Sequence, residues 1–488
     1  MKHQLYLTIP VLLLFFISSA QPSNPPALAA IREQDIKNDI FEMAGDHFRG
    51  REAGTLDELK IAAWLAEKVR AIGLRPGGDD GSYFQFFSMA RNRISPSSTV
   101  SISNHAFPLW TEVMIPQTAS ATVNAPIIFI DKADTNRLDI RGKAVALVAS
   151  REGLDLQVSL PIRRYMGYVA RRYATGLLAK GAVAVIFIAD SLAEASWDLN
   201  VSYADHGTYT NEGDPGERVT ERPPVLWLHA SALPLVQTAG QNLNVQLNIE
   251  HFLYPSVNVV AIQEGNDPVL SKEFVVFSGH LDHDGIRHYP GPDSIYNGAD
   301  DNASVNVALM AIARAFHRQP GRRSALFIWH GAEERGLLGS RWYATHPTVP
   351  KSSLVAVLNG DMIGRNNPDS AALLGVIPPH RNSSELVAIC LAANQEGPKF
   401  LLDTAYDKST HIEGWYFRSD HLSYARAGIP AVFFTSLLHP DYHTPRDEPS
   451  RIDTKKISHI AQWMYRAGWK VANTDKRPTV DPDFKLER

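Results

Sequence analysis

Acidic residues and histidines follow short apolar runs in the C-terminal half of the chain. His280 and Asp282 follow the first of these runs. Glu333 and Glu334 follow the second, and Asp361 follows the third. Carboxylates gathered in one cleft repel one another, and an unpaired buried carboxylate is costly, so metal cations commonly neutralise such groups. These residue types therefore indicate a metal site with imidazole and carboxylate ligands.

The segment GADDNAS adds two aspartates, Asp300 and Asp301, at the start of a predicted helix that Asn302 could cap. In the spacing His280-x-Asp282, the carboxylate can accept the second ring N–H of a metal-binding imidazole. Each signal alone also fits an ordinary structure, namely a surface loop, a capped helix or a solvated helix start. Because all of them follow apolar runs in sequence order, a shared site is favoured.

Four continuous apolar runs are typical of strands buried on both faces of a parallel sheet. They lie at 273–278, 324–329, 354–358 and 431–435. Apolar residues at helical spacing lie between them, most clearly at 303–317. This alternation predicts an α/β fold with a doubly wound, mostly parallel sheet. Ligand sites in such sheets form beyond the carboxyl ends of the strands, so the acidic residues and histidines are expected to meet in one crevice.

The N-terminal half predicts one clear helix and a separate module. The helix starts at Thr55, with Glu58 three positions later as in a capping box, and ends at Gly73. Short β-rich runs separated by turns fill 97–250 and predict an inserted, β-rich module. The expected division is a leader at 1–20, a first part of the α/β domain at 21–96, the insert at 97–250 and the remainder of the α/β domain at 251–488.

The composition of the 488 residues excludes several classes of protein. The net charge is −4 and 44% of the residues are hydrophobic, which is typical of folded cores and excludes disorder for the bulk of the chain. A nucleic-acid binder would need a strongly basic balance, so no nucleic-acid partner is expected. The single cysteine, Cys390, excludes an internal disulfide and a thiolate zinc cluster.

Residues 1–20 have the features of a secretory signal peptide. Lys2 precedes an apolar stretch from Leu5 to Ile17, and small residues lead to a cleavage point after Ala20. An uncleaved membrane anchor is the alternative, but the stretch is shorter than the ~20 residues of a spanning helix and Pro10 interrupts it. We expect a periplasmic or secreted protein with no stable membrane insertion after cleavage.

Five motifs, in this order, resemble those of the co-catalytic di-zinc aminopeptidases. That family includes bacterial leucyl-type aminopeptidases, glutamate carboxypeptidase II, glutaminyl cyclase and transferrin receptor. The stretch 97–250 looks like the protease-associated domain inserted in many members. The motifs are GHLD at 279–282, GADDNAS at 298–304, HGAEERGLLGS at 330–340, NGDMIG at 359–364 and DYHTPRDE at 441–448.

The resemblance implies two zinc ions as cofactors. His280 and Asp361 would hold one ion, Glu334 and His443 would hold the other, and Asp301 would bridge the pair. Asp301 is chosen over the aspartate before it only because the second aspartate bridges in the family. Relatives also carry a cis peptide bond directly after this aspartate.

The resemblance gives three more residues a role. Glu333 would be the general base, Tyr442 would offer its hydroxyl to the developing oxyanion, and Asp282 would accept a hydrogen bond from His280. A water activated by the two zinc ions would then hydrolyse a peptide bond at a chain end. Val305 departs from the glycine that many members have at this position, and this change removes no ligand.

An aminopeptidase acting on peptide substrates is the favoured activity, and three alternatives stay open. A carboxypeptidase of the glutamate carboxypeptidase type would need a basic pocket, for which Arg365, Arg418 and Arg426 are available. A glutaminyl-cyclase-like acyltransferase would keep much of the ligand set, and a non-enzymatic binding protein would not load metal. The arginine pairs at 163–164 and 171–172 are expected to form a solvated helix face.

Overall fold

The structure is a computed structural model that describes residues 24–131, 138–152, 154, 159–289 and 291–486. The expected leader at 1–20 lies outside these residues. No helix in the described part of the chain is both long and apolar enough to cross a membrane. The helices are α1 (Glu33–Met43), α2 (Leu56–Ile72), α3 (Pro161–Ala179), α4 (Ser191–Ala195), α5 (Trp197–Ala204), α6 (Leu233–Gln237), α7 (Ser304–Arg318), α8 (Leu338–Thr345), α9 (Ser384–Glu396), α10 (His421–Arg426) and α11 (Thr454–Asn473).

The strands form two large sheets and one short hairpin. They are β1 (Arg75–Pro76), β2 (Phe84–Ile94), β3 (Thr99–Ile102), β4 (His105–Ala106), β5 (Val113–Met114), β6 (Ala121–Phe129), β7 (Ala144–Val148), β8 (Ala184–Ile188), β9 (Thr208–Asn211), β10 (Val225–Leu228), β11 (Asn242–Leu247), β12 (Ile249–Gln263), β13 (Phe274–His280), β14 (Gly285–Ile286), β15 (Ile295–Tyr296), β16 (Ser324–His330), β17 (Leu354–Gly360), β18 (Ser370–Leu374), β19 (Leu401–Asp403) and β20 (Ala431–Thr435).

The larger sheet has the order β19–β18–β20–β17–β13–β16–β12–β2–β9, with β1 paired to β12. Its centre, β20–β17–β13–β16, is parallel, and these strands are the four predicted apolar runs. The strands β12, β2 and β9 extend the sheet in antiparallel pairs, and β18 pairs antiparallel with β20. The α/β prediction is therefore confirmed, while the sheet as a whole is mixed.

Helices cover both faces of this sheet, as in a doubly wound fold. Every residue of β13, β16 and β17 is buried, which explains why their sequences are continuously apolar. One face packs against α1, α2, α7, α9 and α11 in a single large core. The other face packs against α8 and α10. The helix α2 has the predicted ends, because Thr55 caps it by accepting the Asp57 N–H and Gly73 leaves it at φ 101°.

The second sheet lies within the stretch 97–250 and has the order β4–β3–β11–β6–β7–β8–β10–β5. Two hydrophobic cores flank it, one of which includes α3. The strand β9 belongs to the same stretch of chain but pairs with β2 of the larger sheet. The two sheets are thus connected both by the chain and by a shared strand pairing, and helices of the second sheet approach the carboxyl ends of the central strands of the larger one.

Candidate metal centre

The residues predicted to do chemistry meet at the carboxyl ends of the central parallel strands. The register keeps these ends level, since His280 on β13 lies beside His330 on β16. Short loops after the strands, and the turn before α7, carry the remaining side chains into the same space. The residues are His280 (end of β13), Asp301 (turn before α7), Glu333 and Glu334 (loop after β16), Asp361 (after β17) and His443 (loop after β20).

Asp301 lies between two groups of side chains. Its Oδ1 is 3.2 Å from His280 Nε2, and its Oδ2 is 3.2 Å from His443 Nε2. The residue is almost fully buried. The two oxygens of this carboxylate thus face two different imidazoles.

Asp300 points away from this space. Its Oδ1 accepts the Gly364 N–H at 2.5 Å, and its Oδ2 lies 3.3 Å from His439 Nε2. The geometry thus separates two adjacent aspartates that the sequence alone could not. The expected capping role of Asn302 is wrong, because α7 begins at Ser304 and the Asn302 amide donates to the carbonyl of Gly360. The peptide bond between Asp301 and Asn302 is cis.

The first group contains His280, Asp361 and Glu333. His280 Nε2 is 3.5 Å from Asp361 Oδ1 and 3.9 Å from Glu333 Oε2. Neither His280 Nε2 nor Asp361 Oδ1 has a hydrogen-bond partner in the described part of the chain, and both are buried. Unpaired buried polar atoms are costly, so two of them facing one space fit a cation held between them.

The second group contains Glu334 and His443, joined by His283. His443 Nε2 is 3.3 Å from Glu334 Oε1, while its Nδ1 is 2.7 Å from Asp284 Oδ2. A carboxylate on the far nitrogen is the usual way of orienting a metal-binding imidazole. His283 and Asp284 were not predicted from the sequence, although both directly follow Asp282 in the loop after β13.

Asp282 does not make the contact predicted for it. His280 Nδ1 lies 3.1 Å from the Asp282 backbone oxygen, whereas the nearest Asp282 carboxylate oxygen is 3.8 Å away. The carboxylate instead accepts the backbone N–H groups of Glu333 and Glu334, at 3.0 and 3.2 Å. Two adjacent amides at the start of a turn bind a carboxylate well, so Asp282 holds the turn that carries both glutamates.

The carboxylates around His280 and His443 favour the binding of positive charge in this space. Burial alone would lower the pKa of His280 and His443, but nearby carboxylates, chiefly Glu333 and Glu334 respectively, raise both, that of His443 to about 10. Burial raises the pKa of the Glu333 carboxyl well above its usual range, and the charge of Glu334 adds to this against the opposing charge of His280. A bound metal cation would displace the imidazole protons. Imidazole nitrogens and carboxylate oxygens are a donor set that suits zinc.

Two helices of the stretch 97–250, α3 and α5, bring side chains to the candidate metal centre. Arg163, in the first turn of α3, has Nη1 3.0 Å from His443 Nδ1. Its guanidinium lies 3.7 Å over the ring of Tyr203 on α5. The Tyr203 hydroxyl donates to Asp284 Oδ2 at 2.9 Å. The stretch 97–250 therefore contributes side chains to the surroundings of the candidate metal centre.

The prediction of a solvated arginine face on α3 is wrong for Arg163 and Arg164. The Arg164 and Arg418 guanidinium groups both donate to Glu413 Oε2, at 2.8 and 2.9 Å. The side of α3 that bears Tyr165 packs on the second sheet, so the first turn extends past the sheet toward the metal centre. Only the second arginine pair is exposed, as expected.

Of the three arginines considered for a basic pocket, only Arg418 lies near the candidate metal centre. Its Nη2 donates to the Tyr442 hydroxyl at 2.7 Å, and its guanidinium stacks 4.4 Å over Trp415. Arg365 pairs with Asp441 at 2.7 Å. Arg426 lines a separate cavity beside α8.

A cleft of about 580 Å³ separates the two sets of side chains. We call one side the acidic wall, formed by Asp301, Glu333, Glu334 and Asp361. We call the other side the basic wall, formed by Arg163, Arg164, Arg171 and Arg418. Tyr442 and His443 also line the cleft.

Comparisons with known proteins agree with this arrangement. The profile of peptidase family M28 matches residues 258–467. Aminopeptidase YwaD of Bacillus subtilis is 25% identical over 240 residues, which are 48% of this chain and 48% of that protein. The chain thus spans about half the length of this curated relative.

Two solved structures share the fold over most of the chain. An aminopeptidase from Aneurinibacillus sp. strain AM-1 has a TM-score of 0.57 at 18% identity, covering 95% of this chain and 99% of that one. The zinc aminopeptidase BSAP of Bacillus subtilis has a TM-score of 0.55 at 18% identity, covering 95% of this chain and 100% of that one. At these identities the likeness establishes the fold. The region that the profile of peptidase family M28 matches contains all five predicted metal ligands.

Proposed function

We propose that the protein is an aminopeptidase that binds two zinc ions along the acidic wall. The observation that carries the proposal is the position of Asp301, whose two oxygens face two separate imidazoles. His280 and Asp361 would complete one zinc site, and Glu334 and His443 the other. The names of the relatives, an aminopeptidase and a zinc aminopeptidase, support the same activity.

Zinc bound there would polarise the scissile carbonyl and lower the pKa of an attacking water. Glu333 would take a proton from that water and pass it to the leaving amine, because burial keeps its pKa high enough for it to hold a proton. The Tyr442 hydroxyl accepts its hydrogen bond from Arg418, so its own proton is free to stabilise negative charge on the carbonyl oxygen.

The basic wall supports a second candidate, in which the substrate presents a free carboxylate close to the scissile bond. Arg164 and Arg418 share the Glu413 carboxylate. Arg163 forms no ion pair with any residue that the structure describes, and it lies partly buried in the cleft. A guanidinium that no protein carboxylate neutralises is well suited to bind the carboxylate of a substrate. Such a substrate would be a short peptide cut by an aminopeptidase, or the usual substrate of a carboxypeptidase.

The experiment that tests the proposal combines a metal count with a substrate panel. The purified protein is expected to hold about two zinc ions per chain and to cleave peptides with a free amino terminus. N-acetylated versions of the same peptides should resist cleavage, and a chelator should abolish activity until zinc is restored. Matched peptides with a free or amidated carboxyl terminus would show whether the basic wall is used.

Other results would support the alternatives. Cleavage restricted to amino-blocked peptides with a free carboxyl terminus would indicate a carboxypeptidase. Cyclisation of an amino-terminal glutamine without peptide cleavage would indicate a glutaminyl-cyclase-like acyltransferase. A folded protein that cannot load zinc and cleaves no peptide would indicate a binding protein.

We also propose that the protein is exported, on the strength of the signal-like residues 1–20. Amino-terminal sequencing of the protein from periplasm or medium is expected to begin after Ala20. A cytoplasmic protein that keeps its first residues would contradict export without bearing on the metal centre.

A further inference from the structure

His283 is a buried histidine beside the acidic wall that has no part in the mechanism above. Its ring lies against Gly298, where an added Cβ would come within 2.6 Å of the ring carbons Cγ and Cδ2. Its backbone N–H donates to the Arg51 carbonyl at 3.3 Å. The buried Arg51 guanidinium in turn donates to the carbonyls of Leu281, Asn297 and Gly298. The turn before α7 therefore packs against the His283 ring, and Arg51 ties that turn to the loop that carries His283.

The two ring nitrogens of His283 have different surroundings. Nδ1 lies 2.9 Å from Glu334 Oε1, which is the usual distance for an N–H···O hydrogen bond. Nε2 is buried and has no hydrogen-bond partner among the described residues. Buried N–H groups without a partner are rarer than unpaired acceptors, so the proton belongs on Nδ1, where it is donated to Glu334.

The distances separate His283 from the residues that would hold the zinc. Ligand atoms on a tetrahedral zinc, at bond lengths of about 2.0–2.2 Å, lie roughly 3.3–3.6 Å apart. His443 Nε2 lies at 3.2 Å from Asp301 Oδ2 and 3.3 Å from Glu334 Oε1, close to that spacing. His283 Nδ1 lies at 3.9 and 2.9 Å from the same two oxygens, so one distance is too long and the other too short.

We propose that His283 is a positioning residue whose Nδ1–H holds Glu334 Oε1 toward His443 and Asp301, and that it is not itself a metal ligand. Partners of this kind fix the orientation of a ligating carboxylate. With His283 outside the ligand set, this half of the centre keeps an open position, as catalytic zinc sites require. The inference rests on the proposed two-zinc function.

The test compares three variants by metal affinity, measured in competition with a chromogenic chelator, and by the visible spectrum of the cobalt-substituted protein. His283→Ala removes the donor and is expected to weaken one of the two metal sites about 10–100-fold. His283→Asn keeps an N–H group near the position of Nδ1, so its metal affinity should stay within about threefold of the parent, with an unchanged cobalt spectrum.

His330→Asn is the matched control, because His330 is equally buried at the end of β16 but contacts Asn258 and Tyr424. It should leave both metal sites unchanged.

Each failure has a distinct meaning. If His283→Asn alters the cobalt spectrum and loses one metal like His283→Ala, the imidazole is a ligand and the inference is wrong. If His283→Ala binds both metals as tightly as the parent, His283 does not position Glu334, while the two-zinc proposal stands. If the parent protein itself never binds two metals, it is the proposed function that fails.

Discussion

The two walls of the cleft differ in charge and in how the fold holds them. The acidic wall lies mainly at the ends of strands that are buried on both faces, and the Asp282 carboxylate holds the turn of Glu333 and Glu334 by accepting their backbone N–H groups. The basic wall comes mainly from the first turn of α3, whose helix belongs to the second sheet. A few polar contacts join α3 and α5 to the loops around the metal centre. We expect the acidic wall to perform the chemistry and the basic wall to select the substrate.

The largest expected effect comes from the acidic wall. Glu333→Gln should lower the turnover number about 10²–10⁴-fold, because the amide cannot accept the proton of the attacking water. Zinc content should stay unchanged, which a metal count on the same preparation would check. A variant that turns over near the parent rate with its zinc in place would show that another group is the base.

The next effect tests whether the basic wall recognises a carboxylate. Arg163→Met should lower kcat/KM about 10–100-fold for dipeptides with a free carboxyl terminus, since a hydrogen bond to a charged group contributes about 1.5–3 kcal/mol. The same dipeptides as carboxyl-terminal amides should be cleaved almost as well as by the parent. Arg172→Met, on the exposed part of α3, is the matched control and should affect neither substrate.

An equal loss of kcat/KM on the free dipeptides and on their amides would mean that Arg163 does not bind the substrate carboxylate. Arg163 lies 3.0 Å from His443 Nδ1, so it would then act on the metal centre and not on the substrate carboxylate. In that case the contrast between a chemical wall and a selecting wall would not hold.

The acidic wall could be predicted from the sequence because its residues are placed by local rules. Buried parallel strands read as continuous apolar runs, and the residue after each run must lie at the same edge of the sheet. His280, Asp361 and the glutamate pair follow from that rule alone. The exact partner of Asp282 did not follow, because it depends on which backbone amides the turn after β16 presents.

The basic wall could not be predicted in the same way. An arginine on a helix of an inserted sheet is exposed or buried according to how that sheet packs on the rest of the protein. Arg163 and Arg172 are on the same helix, and only tertiary packing separates them. The choice of Asp301 over Asp300 also depends on the tertiary structure, since the Gly364 N–H and the His439 ring contact the carboxylate of Asp300.

A smaller effect is expected where the two walls meet. Tyr203→Phe removes the hydrogen bond to Asp284, which lies against His443. The loss should cost about 1 kcal/mol, and so lower turnover about fivefold. Peptides with free and amidated carboxyl termini should be affected equally, unlike with Arg163→Met. Tyr168→Phe, on α3, is the control, and a larger effect there would contradict a specific role for Tyr203.

The smallest effect concerns how the basic wall is attached. Burial raises the pKa of Glu413, but hydrogen bonds from Arg164 and Ser159 lower it below its usual value of 4.5. A carboxyl whose pKa is lower in the folded state stabilises the fold above its unfolded pKa, and this stability is lost as the pH falls through the folded pKa. Glu413→Gln should therefore lower the free energy of unfolding by about 1 kcal/mol at pH 7.

The pH dependence of the free energy of unfolding distinguishes loss of the Glu413 ion pairs from a general loss of stability. The difference between Glu413→Gln and the parent should shrink when unfolding is measured well below pH 4.5, because the parent carboxyl is then protonated too. The exposed Glu212 provides a control, and Glu212→Gln should change nothing at either pH. If the difference for Glu413→Gln stays constant with pH, the ionised Glu413 carboxylate does not attach α3 to the segment that carries Arg418. The basic wall would then owe its position to packing, like the acidic wall, and the contrast between them would lie in charge alone.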